Sequence, residues 1–140
     1  MVNTLAQRFL KIALNYFIPV LMFLKLDHQK MDIYEISKKF VLECYKLSKF
    51  LPIDEKFGMI SQIRRAALSV HLNIAEGASR KSVRERKRFY EIAHGSVIEI
   101  DAALDIANNL DYLNIFDTKQ LGELMTRCFK ILTGLTDVKH

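Results

Sequence analysis

The chain has 140 residues, half of them hydrophobic, and a formal net charge of +5. This length suits one domain, and the composition is too apolar for a disordered chain. Five Gly and two Pro are too few for a sheet of many short strands, which leaves long helices and an all-α fold as the expectation.

The N-terminal part of the chain contains a strongly apolar segment, residues 9–26. Its longest stretch without charge, residues 12–24, has 13 residues, whereas a helix that spans a membrane needs about 20. The stretch lies between Lys11 and Lys25, and no small-residue cleavage site of a secretory signal follows it. A cytoplasmic protein without a membrane partner is therefore expected.

Three interpretations of residues 1–30 stay open. The segment is an additional helix packed on the fold or on a neighbouring subunit, a weak membrane anchor, or an extension upstream of a natural start at Met31. The first and the third are favoured because the segment is too short to span a bilayer. The chain is accordingly divided into an N-terminal extension, residues 1–30, and one folded domain, residues 31–140.

Apolar residues that recur at spacings of three and four predict two amphipathic helices after Met31. The first is expected to end before Pro52 and to bury Ile33, Ile36, Phe40, Cys44, Leu47 and Leu51. The second is expected to end at Gly77, a common C-cap residue, and to bury Ile60, Ile63, Ala67, Val70 and Ile74.

Two further helices follow. Ser82 and Glu85 form an S-x-x-E capping box, which predicts the start of the third helix, and Asp117 and Gln120 give a similar signal for the fourth. The expected core residues of the third helix are Phe89, Ala93, Ser96, Ile100, Ala103, Ala107 and Leu110. Those of the fourth helix are Leu121, Leu124, Cys128, Ile131 and Leu135.

Four such helices with short connections predict an antiparallel, up-down-up-down, left-handed four-helix bundle, with the N-terminal apolar segment in addition. Several apolar residues fall outside the predicted core stripes and need a second surface to cover them, which predicts self-association. They are Leu68, Leu72, Ala75, Val97, Ile98, Leu104, Phe129 and Leu132.

Residues suited to catalysis are sparse. Glu91 and His94 form an E-x-x-H pair, but a dimetal site needs a second copy, and the other three histidines lack a Glu three positions before them. Cys44 and Cys128 do not form a C-x-x-C pair and are expected to be reduced core residues. No phosphate-binding Gly-rich loop or catalytic triad can be recognised. We expect no metal, no cofactor and no enzymatic activity.

A polar stripe follows the second predicted helix at helical spacing, and it consists of Gln62, Arg65, Ser69, Asn73 and Glu76. The favoured interpretation is a hydrogen-bonded seam at a helix or subunit contact, in which Arg65 pairs with a carboxylate such as Glu76 or Glu99. The alternative is a row of residues that faces a ligand.

Positive charge is concentrated in residues 62–90, where eight Lys and Arg stand against two Glu, so that the rest of the chain is slightly acidic. The densest part is RKSVRERKR, residues 80–88, at the start of the third predicted helix. Because the helix dipole already makes this position positive, the cations create an attractive site for phosphates. The predicted nucleic-acid-binding residues are Arg64, Arg80, Lys81, Arg84, Arg86, Lys87 and Arg88.

Residues 57–96 read FGMISQIRRAALSVHLNIAEGASRKSVRERKRFYEIAHGS. Through SQIRRAA, NIAEG, RKS and IA-GS this segment resembles a family of four-helix-bundle proteins named for the intervening sequences of bacterial 23S rRNA genes. The flanking helices extend the resemblance over residues 31–136. The chain departs from the family pattern at Tyr34, where Trp is frequent, and at His71 and Leu72, where Pro and Ser are frequent.

The resemblance implies homopentamers and no catalysis. It also implies a relation to the accessory variability proteins of diversity-generating retroelements, which bind RNA and a reverse transcriptase. We therefore expect a homo-oligomeric, RNA-binding accessory protein. The alternative is a protein–protein interaction scaffold that does not bind nucleic acid.

Overall fold

The computed structural model describes residues 4–22, 24 and 26–137. Within these ranges the chain forms helices and no β-strand, which confirms the predicted all-α class. The α-helices are α1 (Leu5–Met22), α2 (Asp32–Ser48), α3 (Met59–Ser79), α4 (Val83–Asn109) and α5 (Lys119–Thr136). Two short 3₁₀ helices, Asp27–Lys30 and Ile53–Glu55, precede α2 and α3.

Helices α2–α5 share one hydrophobic core. Helix α3 packs against α2 and α4, and α5 packs against α4 and α2, so that each of the four contacts two others. The contact between α3 and α4 is the most extensive among the described residues. These two helices also carry most of the residues that the sequence predicts to be functional.

The core residues predicted for α2 are confirmed. All six are buried, and Phe40, Cys44 and Leu47 have no accessible surface. The helix itself ends at Ser48, and Leu51 reaches the core from the turn that follows. Pro52 has an extended backbone and directly precedes the second 3₁₀ helix, because its ring prevents an uninterrupted helix.

The core residues predicted for α3 are also buried, but the predicted role of Gly77 is wrong. Gly77 lies inside α3, which continues to Ser79, and it is buried against α4. A Cβ atom at this position would lie 2.9 Å from Tyr90 Cε1 and 3.0 Å from Phe89 Cβ. The glycine therefore permits the close approach of two helices and does not end the first one.

The core face of α4 is displaced from the predicted one. Tyr90, and not Phe89, is buried, and the core continues through Val97 and Leu104, two residues that were assigned to an outer surface. Ser96 is buried as predicted, whereas Ala103 is exposed only in part and Leu110 is exposed. Because α4 packs against both α3 and α5, its buried face is wide. One series of residues at spacings of three and four does not define the centre of that face.

The end of α4 explains the exposure of Leu110. Asp111 adopts the left-handed backbone conformation, with φ of 59°, and its N–H donates to Asn108 O at 3.0 Å. The Tyr112 N–H donates to Ala107 O at 3.0 Å, which completes a Schellman motif. The chain therefore reverses direction after Leu110, and Tyr112, Leu113 and Phe116, which follow this turn, pack against the core.

Helix α5 buries Leu121, Leu124 and Cys128 as predicted, and it buries Leu132 in place of Ile131. Ile131 and Leu135 lie at the edge of the core and are partly buried. The N-cap of α5 is Thr118 and not Asp117, so the predicted start lies one residue too early; Asp117 Oδ1 accepts from the Lys119 N–H at 3.0 Å.

Helix α1 precedes this core. Among the described residues it makes no contact with α2–α5, so the structure does not show the predicted packing of an additional helix on the fold. The described side chains of α1, residues 5–13, are exposed. Within the described part of the chain, no helix combines the length and the apolar character that crossing a bilayer requires.

Candidate nucleic-acid interface

The basic run, residues 80–88, connects the end of α3 to the first turns of α4. Arg80 is extended and ends α3, and Ser82 caps α4 by accepting a hydrogen bond from the Glu85 N–H at 3.1 Å. This bond satisfies one of the amide groups that a helix start leaves unpaired. The run therefore surrounds a helix N-terminus, where the backbone carries partial positive charge.

Two arginines of the basic run are engaged within the chain. Arg80 is paired with Glu76, and its guanidinium lies over the Phe89 ring at 5.0 Å from the centroid. Arg86 donates from Nε to Arg80 O at 2.6 Å and from a terminal nitrogen to Lys81 O at 3.2 Å. Both arginines stabilise the turn between α3 and α4, since they satisfy a carboxylate and two carbonyls there.

The other four cations, Lys81, Arg84, Lys87 and Arg88, form what we call the basic surface. Lys81, Arg84 and Arg88 are exposed, Lys87 is half-buried, and among the described residues none of the four pairs with a carboxylate. Spacings of three and four place Arg84, Lys87 and Arg88 on one face of α4, where they line a shallow groove with Val83 and Glu91. This surface is available to an anion.

The structure does not place Arg64 in the basic surface. Arg64 donates from Nε to Ser48 Oγ at 2.8 Å, and its guanidinium lies over the Tyr45 ring at 5.1 Å from the centroid. It lies near the start of α3, and the helix rises about 22 Å between Arg64 and Ser79 at ~1.5 Å per residue. Arg64 thus connects α3 to the end of α2.

The predicted polar stripe lies largely at the contact between α3 and α4. Ser96 Oγ donates to Ser69 Oγ at 2.8 Å, and Asn73 Nδ2 donates to Ser69 O at 2.8 Å and to Ser69 Oγ at 3.1 Å. Gln62 donates to Glu99 across the same two helices. Because these groups satisfy one another at a half-buried contact, they specify how α3 and α4 meet.

Arg65 is the exception in this stripe. Its predicted pairing with Glu76 or Glu99 is absent within the chain, because Glu76 pairs with Arg80 and Glu99 accepts from Gln62. Arg65 is exposed and makes no ion pair with any other described residue. The stripe thus includes one exposed, charged side chain that takes no part in the α3–α4 contact.

Residues 29–134 match the family model described as 23S rRNA-intervening sequence protein. The chain belongs to this family. The match includes α2, α3, α4 and nearly all of α5, whereas α1 lies before it. A search of curated proteins finds no match.

The motifs that suggested this family have a structural role in the chain. Gly77 of NIAEG accommodates the aromatic side chains of α4, and Asn73 of the same motif bonds to Ser69. Ser96 of IA-GS completes the contact from the opposite helix. The segment 57–96 therefore encodes mainly the α3–α4 contact, and the basic surface lies beside it.

The remaining candidate residues are the two cysteines and the E-x-x-H pair, of which Glu91 borders the groove of the basic surface. Burial raises the pKa of Cys44 to about 12 and that of Cys128 to about 12, as expected for thiols within a core. Glu91 is exposed, while His94 bonds through Nε2 to Thr133 Oγ1 at 3.0 Å and stacks on Phe129. Within the described residues, no group of three His, Cys, Asp or Glu is arranged to hold a metal ion.

A second polar contact between helices was not predicted. Ser37 Oγ lies 2.8 Å from His71 Nδ1, and the His71 ring lies 4.6 Å from that of Tyr34. Burial lowers the pKa of His71, and the charge of Lys38 acts in the same direction. The available sequence signal was that Tyr34 and His71 are both positions where the chain departs from its family.

Proposed function

We propose that the chain is a non-enzymatic, homo-oligomeric accessory protein that binds RNA through the basic surface. The observation that carries this proposal is the set of four cations without carboxylate partners among the described residues, gathered at the N-terminus of the 27-residue helix α4. Phosphate groups are the anions that such an arrangement attracts, because cations, helix dipole and unpaired backbone amides act together.

The proposed binding is independent of RNA sequence. Recognition of single-stranded bases usually requires exposed aromatic rings on which the bases stack. Here Tyr90 is buried in the core, and Phe89 lies beneath the guanidinium of Arg80. The basic surface therefore offers charge to the phosphate backbone without a stacking platform for bases.

The proposal includes the finer architecture, an antiparallel, up-down-up-down, left-handed four-helix bundle over residues 31–140 with residues 1–30 as a separate extension. Contacts between neighbouring helices support it, because an early residue of one helix meets a late residue of the next. Between α3 and α4, Gln62 meets Glu99, and the later residue Ser69 meets the earlier residue Ser96. The same antiparallel order holds between α2 and α3. There the pairs are Ser37 with His71 and Ser48 with Arg64.

The proposal also includes self-association, with a pentamer as the expected assembly. Arg65 lacks a carboxylate partner within the described part of the chain. Exposed apolar residues also lie on α3 and along the groove between α4 and α5, for example Leu72, Ile98 and Phe129. A second copy would cover these side chains and supply a carboxylate for Arg65.

RNA titrations at several salt concentrations test the proposed binding. We expect Arg84→Ala, Lys87→Ala and Arg88→Ala together to weaken binding and to reduce the slope of log affinity against log salt by about 2–3, since each phosphate contact contributes ~0.7–0.9. The matched control replaces three exposed cations outside the basic surface, Lys39, Lys49 and Arg127, with Ala. It has the same net charge and should keep most of the slope.

Two outcomes would contradict the proposal. One is a wild-type affinity that does not change with salt, and the other is an equal loss of affinity in both triple variants. The latter would show that net charge alone, and not the basic surface, attracts RNA.

The alternative function is a protein–protein interaction scaffold. It is favoured by the apolar groove of about 320 Å³ that Val97, Ile98, Met125 and Phe129 form between α4 and α5. In this case Arg84→Ala, Lys87→Ala and Arg88→Ala leave RNA affinity unchanged, while Phe129→Ser changes the mass of the assembly measured by light scattering.

A further inference from the structure

Helix α1 has one apolar face that nothing covers among the described residues. Leu5, Phe9 and Ile12 recur at spacings of four and three and are 72%, 65% and 53% exposed. Arg8 borders this face, because it follows Leu5 by three positions and precedes Ile12 by four, whereas Gln7 and Lys11 lie away from it, near the exposed Leu10. The described part of α1 is therefore amphipathic, with large apolar side chains in contact with solvent.

The charge around α1 has one sign. Residues 1–26 contain three Lys and Arg and no Asp or Glu, and the first acidic residue is Asp27. Segments of this length in a globular domain usually carry both signs, because mixed charge keeps a surface soluble without attracting polyanions. An uncovered apolar face bordered only by cations is typical of a helix that lies on an anionic lipid surface.

The attachment of α1 places it at the end of the fold that carries the basic surface. Met31, directly before α2, lines a cavity with Val83 and Lys87 at the start of α4. The 3₁₀ helix Asp27–Lys30 packs against α2 and α3, so only a short connection separates α1 from this end. A surface that holds α1 would therefore lie near the cations of α4 as well.

We infer that α1 binds the surface of an anionic phospholipid membrane. Leu5, Phe9 and Ile12 enter the boundary between headgroups and acyl chains, and Arg8 and Lys11 pair with lipid phosphates. The helix lies in the plane of the membrane and does not cross it: its 18 residues give a length of about 27 Å, and no described helix is apolar enough to span. A helix that lies on the membrane surface does not need the length of a membrane-spanning helix, so the short apolar stretch of residues 12–24 does not exclude a membrane partner.

Co-sedimentation of the full chain with lipid vesicles tests this inference. We expect binding to vesicles of phosphatidylcholine with phosphatidylglycerol to be on the order of tenfold stronger than binding to phosphatidylcholine alone, because two cations approach the headgroups. Phe9→Ser with Ile12→Ser should reduce binding at least tenfold, since two large apolar side chains no longer enter the lipid. Gln7→Ser, on the polar side, is the control and should bind as the wild type does.

Three outcomes would overturn the inference. The first is equal binding by the Phe9/Ile12 variant and the wild type, and the second is binding that disappears only when Arg84, Lys87 and Arg88 are replaced. The third is a loss of assembly mass in the Phe9/Ile12 variant without vesicles, which would show that α1 packs against another copy. Because α1 makes no contact with α2–α5 among the described residues, its variants should fold normally and keep their RNA affinity. A failure of membrane binding is therefore distinguishable from a failure of RNA binding.

Discussion

The close approach of α3 and α4 at Gly77 makes Gly77→Ala a direct test of the fold. An alanine Cβ would lie 2.9 Å and 3.1 Å from two Tyr90 ring atoms and 3.0 Å from Phe89 Cβ. The tyrosine ring can rotate slightly, but the Cβ of Phe89 is attached to the backbone of α4. Relief therefore requires α3 and α4 to separate by a few tenths of an ångström along their contact.

Two opposing effects determine the magnitude. In a helix interior, Ala is more favourable than Gly by about 1 kcal/mol. Overpacking of a well-filled core costs about 1–3 kcal/mol, and the fixed position of Phe89 Cβ places Gly77 in the upper part of this range. The free energy of unfolding of Gly77→Ala should thus be lower than that of the wild type by about 1–2 kcal/mol.

Gly95→Ala is the matched control. Gly95 is also inside a long helix, but no heavy atom lies within 4 Å of the position where its Cβ would be. This variant gains the helical preference without the clash, and its free energy of unfolding should rise by about 0.5–1 kcal/mol.

Urea unfolding followed by circular dichroism measures both changes. All three proteins must be compared at one protein concentration, because self-association adds to the apparent stability. At this chain length, 1 kcal/mol corresponds to roughly 3–5 °C in Tm. If Gly77→Ala is as stable as Gly95→Ala, the α3–α4 approach does not require glycine and the explanation of the NIAEG motif is wrong.

Two further predictions concern the turn between α3 and α4 and the half-buried His71. Arg86→Ala should lower the free energy of unfolding by about 0.5–1.5 kcal/mol, because Arg80 O and Lys81 O lose their donors. Arg84→Ala should leave the free energy of unfolding unchanged or raise it slightly. Equal losses for the two variants in urea unfolding would show that Arg86 does not stabilise the turn. Because the pKa of His71 is lowered in the folded state, the unfolded chain binds the proton more readily, and stability should fall as pH decreases below about 6.5. His71→Gln should flatten this part of the stability–pH profile, and an unchanged slope would refute the assignment.

The sequence predicted the core of α2 completely and that of α4 only in part, and the difference follows from packing. Ile33 and Phe40 belong to a helix whose apolar residues form one narrow stripe. Helix α4 has apolar residues on two adjoining stripes, and since Ala93 follows Phe89 by four positions and Tyr90 by three, the spacing alone does not choose between them. The neighbours decide, since α3 and α5 together centre the buried face on Tyr90 and Val97.

The candidate site was predictable in position but not in the role of each residue. The charge pattern located the basic run correctly at the start of α4. It could not show that Arg80 and Arg86 are used inside the chain, because a long side chain can reach a carbonyl or carboxylate several residues away. Nor could it show that Arg64 lies at the far end of α3, since linear proximity to Arg65 and Arg80 conceals the length of a helix.

Because both thiols are buried, their chemical reactivity reports how often the interior of this protein becomes accessible to solvent. Only a thiolate reacts readily with alkylating or oxidising reagents, and with a pKa of about 12 about one thiol in a hundred thousand is ionised at pH 7. Cys44 and Cys128 become reactive when the helices part and water enters. The rate at which a reagent labels them therefore measures how often the whole assembly of helices comes apart, without any engineered probe.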